Sequence, residues 1–75
     1  MQTVNLELEL NLGFERDFML RELGKIESLS VTSISERHAF IQVTGDTIES
    51  IKALAAKVGK LSFVRRINEV AEPQG

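Results

Sequence analysis

Apolar and polar side chains alternate through the first ten residues. Val4, Leu6, Leu8 and Leu10 take one phase, and Asn5, Glu7 and Glu9 the other. Successive side chains of a strand point to opposite faces, so this spacing predicts a strand over 3–10 with one apolar and one acidic face. Asn11-Leu12-Gly13 breaks the alternation, and Gly13 gives the backbone freedom a tight turn needs. From 14 to 23 the period changes to that of a helix. Phe14 and Phe18 lie four apart, as do Met19 and Leu23, and Leu20 widens the stripe. Gly24 stands where a left-handed residue would end that helix.

The alternation returns in Leu29 and Val31 against Ser28, Ser30 and Thr32, and again in Ala39, Ile41 and Val43 against His38, Phe40, Gln42 and Thr44. Two strands over 28–35 and 38–44, joined by the polar turn Ser35-Glu36-Arg37, form a β-hairpin. A second helix is expected over 47–58. Asp46 and Glu49 have the spacing of a capping box, Ile48, Ile51, Ala55 and Val58 share one face, Leu54 and Leu61 flank it, and Gly59 is the stop. A last strand over 63–70 has imperfect alternation, because Phe63 and Val64 both face inward only at a bulge or an edge. The polar tail 71–75 is expected to fray.

The order is β-α-β-β-α-β. This is an α+β, ferredoxin-like arrangement: a four-stranded antiparallel sheet with both helices on one face. Right-handed crossovers put the first and third strands in the middle and the fourth beside the first. Glu7 and Glu9 then share the open face with Arg65 or Arg66. The expected core is Val4, Leu6, Leu8, Leu10, Phe18, Leu20, Leu23, Leu29, Val31, Ile41, Val43, Ile48, Ile51, Leu54, Ala55, Val58 and Val64.

Composition narrows the functions this fold can carry. Seventy-five residues make one domain, and a domain this small buries only about 60% of its unfolded surface. Cysteine is absent, so no disulfide and no thiolate metal site staples it. A homodimer, formed through the open sheet face or the sheet edges, is the remaining remedy. Ile34, Phe40 and one of Phe63 or Val64, which one helical layer cannot all cover, point the same way. A net charge of −2 and a pI near 5.3 argue against nucleic acid and against an anionic membrane surface. No apolar run reaches membrane-spanning length and no signal peptide opens the chain, so a cytoplasmic protein is expected.

The chemistry is sparse. Metal carriage by paired thiolates fails for want of cysteine. RNA recognition on the sheet fails because only Phe40 is offered for stacking, beside two glutamates that repel phosphate. Asn11-Leu12-Gly13-Phe14-Glu15-Arg16 is a poor phosphate loop, with one glycine and an acid beside the arginine. His38 is the only histidine; Glu36 is the one obvious further metal ligand near it, and nothing orients its ring to serve a serine. These readings predict no catalysis and no cofactor.

One segment carries a resemblance. Lys25-Ile26-Glu27-Ser28-Leu29-Ser30-Val31 resembles the N-I-E-S-L-T-V segment of the regulatory small subunits of acetolactate synthase, which are built on an ACT domain. Thr44-Gly45-Asp46 before the second helix, Ile48 and Ile51 within it, and Lys60-Leu61 with Val64, Arg66 and Ile67 are similar to the family's pattern. Asn11-x-Gly13 resembles its N-x-x-G turn, one residue shorter; Lys25 replaces its asparagine, and the first helix is shortened. The chain is short for the family's two-domain members. The resemblance implies a regulatory module of branched-chain amino acid biosynthesis that docks on a catalytic subunit. It implies an amino-acid effector held between two such domains. Asn11 and Gly13 carry over as ligand contacts and Ile26 as pocket lining, while Lys25 would supply a cation to the carboxylate. Backbone N–H groups at a helix N-terminus suit a carboxylate, although Glu15 and Asp17 in the same turn oppose one. Two other readings stay open: a metal- or ligand-responsive domain like those attached to transcriptional regulators, and an assembly module with no ligand.

Overall fold

The computed structural model describes residues 1–70, and the tail expected to fray lies outside them. The elements run β1 (Gln2–Leu10), α1 (Arg16–Gly24), β2 (Leu29–Ile34), β3 (His38–Gly45), α2 (Ile48–Gly59) and β4 (Val64–Val70). The strands form one antiparallel sheet in the order β2-β3-β1-β4, the order that right-handed crossovers require. This is the ferredoxin-like α+β fold.

The core lies between the sheet and the two helices. Leu6, Leu8 and Leu10 of β1 and Ala39, Ile41 and Val43 of β3 are buried beneath Met19 and Leu23 of α1 and Ile51 and Val58 of α2. The alternation in β1 produces this directly: Leu8 opposes Ala39 on one side and Ile67 on the other, while Glu7 and Glu9 project to the open face. There Glu9 accepts a hydrogen bond from Asn68 Nδ2 (3.1 Å) and stands 3.8 Å from Arg66, the cross-strand pairing expected of it. Half-exposed ion pairs of this kind contribute about 0–1 kcal/mol, so the face is solvated rather than stapled.

Both edge strands carry a bulge. In β4 the register shifts between Glu9 and Leu10, so Arg65 is the extra residue and Val64 and Ile67 both turn toward the helices. Phe63, just before the strand, is also buried; the bulge and the edge position together admit both Phe63 and Val64. In β2 the shift falls between Val31 and Ser33. Thr32 is extra there, and its Oγ1 donates to the Phe40 carbonyl (2.9 Å).

Several local expectations are corrected. α1 begins at Arg16 rather than Phe14, because Gly13 sits at φ 98° and Glu15 is extended. The buried stripe is therefore Met19–Leu23, and Phe18, expected in the core, is 37% exposed. Phe14 and Phe18 stack on each other (6.1 Å) and set their rings near Phe63 (5.9 and 6.0 Å), closing the end of the layer. Val4, Leu20, Leu29, Val31, Leu54 and Ala55 reach only half-burial, whereas Met19, Ala39 and Phe63 join the core.

Gly24 is not left-handed. It is the last helical residue, and the cap is Lys25 at φ −77°, whose N–H donates to the Glu22 carbonyl (3.3 Å) while the Ile26 N–H donates to the Leu23 carbonyl (3.1 Å). The left-handed residue of this connection is Ser28, at φ 65°. Its carbonyl accepts from both the N–H (2.9 Å) and the Oγ1 (3.3 Å) of Thr44, and these contacts hold the conformation in place.

The α2 cap is Thr47 rather than Asp46. The Thr47 Oγ1 accepts from the Ser50 N–H (3.1 Å), so Ile48 becomes the first helical residue, 47% exposed at an open helix end. Thr47→Ala is expected to lower stability by about 1 kcal/mol, and Asp46→Ala by less than about 0.5 kcal/mol. Urea denaturation of the two variants measures both.

Candidate functional site

Two grooves flank α1, one at each end. The first, about 380 Å³, opens at the helix N-terminus. It forms because β2 and α1 are antiparallel neighbours, which brings the Ser35–Glu36 turn back to the β1–α1 turn. Gly13, Leu12, Phe14 and Arg16 line one side, Ser35 and Glu36 the other, and the buried Met19 the floor. Nothing lies within 4 Å of where a Gly13 Cβ would sit, so the backbone, not the space, demands glycine there.

The second groove, about 750 Å³, lies between the α1–β2 connection and α2. Lys25, Ile26 and Ser28 line it from one side and Thr44, Gly45, Ser50, Leu54 and Lys57 from the other. Gly45 is tight: a Cβ there would meet Ser50 Cβ and Ile51 Cγ1 at 3.1 Å. The end of β3 can pass beneath α2 at this distance only because the position is bare.

The candidate ligand residues fall at these two separate places. Gly13 lines the first groove. Asn11 does not; it fastens β1 to the loop before β4, its N–H donating to the Phe63 carbonyl (2.8 Å) and its Nδ2 to the Ser62 carbonyl (3.1 Å). Lys25 and Ile26 line the second groove, and the Lys25 Nζ is paired with Glu22 Oε2 at 2.8 Å. Nine helical residues, about 13 Å, separate the two ends. Within one chain the four residues do not form one site.

Two charged groups that sequence reasoning did not assign to the amino-acid site complete the first groove. Arg16 and Glu36 both line it, and among the described residues neither makes an ion pair. Topology was the signal for Glu36, since the C-terminal end of β2 must lie beside the N-terminal end of α1. Glu15 and Asp17, expected to oppose an anion, do not line the groove.

His38 lies on the open face with its Nε2 3.8 Å from Glu7 Oε2. Among the described residues, no three histidine or acidic side chains come together as a metal site. Asn5 Oδ1, on the same face, is buried without a hydrogen-bond partner. No described helix is long and apolar enough to cross a membrane. No protein-family model matches the chain, and no curated protein or solved structure matches it either.

Gly13→Ala forces a left-handed alanine and should cost about 1–2 kcal/mol. Gly59 is helical, and a Cβ there would lie 3.6 Å from Ile67 Cδ1, an ordinary contact. Gly59→Ala should therefore be neutral or stabilising by up to about 1 kcal/mol. Thermal unfolding of the pair measures the contrast.

Proposed function

We propose that the chain is a non-catalytic, ACT-like regulatory module of the cytoplasm. It works as a homodimer, binding an amino acid, docking on the catalytic subunit of a biosynthetic enzyme, or both. The observation that carries this reading is the pairing of the ferredoxin-like fold with a positive-φ glycine turn that opens a groove at the α1 N-terminus. The resemblance to the acetolactate synthase regulatory subunits gives candidate contacts at that turn (Asn11, Gly13) and at the far end of α1 (Lys25, Ile26). A single ligand touches both ends only when two copies lie side by side with their α1 helices antiparallel. The homodimer is thus part of the functional reading and not an addition to it.

Metal-responsive sensing is the second reading, and His38 beside Glu7 on the open face is what favours it. Thermal shift separates the readings. A ligand at a hundred times its dissociation constant adds about 2.7 kcal/mol to the folded state, which for a domain of this size raises Tm by about 10 °C or more. Valine, leucine or isoleucine is expected to give that rise, and Gly13→Val and Lys25→Ala are expected to diminish it. A rise with nickel or zinc alone would replace this reading with metal sensing. No rise with any of them would remove the amino-acid ligand and leave docking or assembly.

A further inference from the structure

A third cavity, about 100 Å³, lies at the end of the sheet where β1 leaves it. Glu9, Leu10, Arg37, His38 and Arg65 line it, and it shares no residue with either groove beside α1. Its cations come from both sides of β1. Arg37 and His38 belong to the β2–β3 turn and the start of β3, and Arg65 belongs to β4. Strict alternation would set Arg65 and Arg66 on opposite faces of the sheet. The bulge releases Arg65 from that rule, so both stand exposed, Arg66 beside Glu9 and Arg65 at the cavity.

We propose that this cavity binds a phosphate group. Hydrogen bonds tie the backbone around both arginines to the end of β1. The Leu10 N–H donates to the Arg37 carbonyl (2.7 Å), and the Ser35 N–H (2.8 Å) and Oγ (3.1 Å) both donate to the His38 carbonyl, which fixes the turn. On the other side Asn11 fastens the loop before β4 through Ser62 and Phe63. Arg37 and Arg65 nevertheless have no counter-ion among the described residues. The His38 ring has no hydrogen bond among them either, since Glu7 Oε2 at 3.8 Å is too distant for one. A guanidinium is always charged, and its planar fork of donors matches phosphate oxygens. An imidazole adds one N–H even when neutral. The cavity has the volume that about three waters fill in the liquid, room for one such group.

Glu9 decides which anion fits. Asn68 Nδ2 and Arg66 Nη1 both engage its Oε2, at 3.1 and 3.8 Å, and its Oε1 has no partner among the described residues. A carboxylate in the wall repels an anion that carries no proton. From one that does, it accepts a short, charge-assisted O–H···O hydrogen bond. At neutral pH free phosphate keeps a proton and sulfate keeps none. A phosphate monoester, with its second pKa near about 6, has mostly lost its own. Arg37 and Arg65 therefore attract, and Glu9 sorts in favour of free phosphate by repelling the alternatives.

NMR titration of the full chain in low-salt buffer tests the site. Inorganic phosphate should shift the amide signals of Arg37, His38 and Arg65 saturably and leave those of Ser28 and Lys57, at the second groove, in place. Arg37 and Arg65 are exposed, so Arg37→Gln and Arg65→Gln should fold, as circular dichroism will verify, yet each should weaken binding about fivefold or more. Arg21→Gln removes the same charge from the exposed surface of α1 and should change binding less than about twofold. Sulfate should bind about tenfold more weakly than phosphate, and Glu9→Gln should abolish that difference. No saturable shift with phosphate, or undiminished binding by both arginine variants, overturns the site. Sulfate or glycerol 3-phosphate bound as tightly as inorganic phosphate overturns the selection by Glu9, and the second of these makes a phosphorylated small molecule the source of the group.

Discussion

β1 is hydrogen-bonded on both sides, to β3 and to β4, and its strict alternation fixes everything around it. Leu6, Leu8 and Leu10 must be covered, so both helices lie on one face. Glu7 and Glu9 must stay in water or find partners, so the other face remains open and polar. With β1 and β3 in the middle, β2 and β4 become edges, and each accommodates its apolar residues by a one-residue bulge. Slipping β1 by one residue would bury two carboxylates and expose three leucines, so the register has no competitor.

The parts of the fold legible in the sequence follow from this alternation. Element order, strand order, the Glu9–Arg66 pairing and the need for a bulge beside Phe63 and Val64 all follow from period and connectivity. What could not be read was rotational phase. Phe14-Phe18 and Met19-Leu23 are equally good helical stripes. The choice between them depends on where the helix begins, and the Gly13 conformation sets that start after Glu15. Asp46 and Thr47 are likewise both capable caps, and one residue of difference moves Ile48 from the core to an exposed helix end. The left-handed position shifted from Gly24 to Ser28 because hydrogen bonds from Thr44, distant in sequence, outweigh the intrinsic preference for glycine.

The candidate site was legible in pieces. Gly13 was marked by its residue type, and the structure gives it the positive φ that favours glycine there. Asn11 is spent on the β4 loop, and Lys25 and Ile26 stand a helix length away. Their separation means that no one groove of a single chain is built from all four candidates.

Native-state hydrogen exchange followed by NMR tests the central place of β1 most directly. The β1 amides of Leu6 and Leu8, in the strand paired on both sides, should be among the most protected in the chain, above those of the edge strands β2 and β4. Protection of β1 no greater than that of the edge strands would contradict the account.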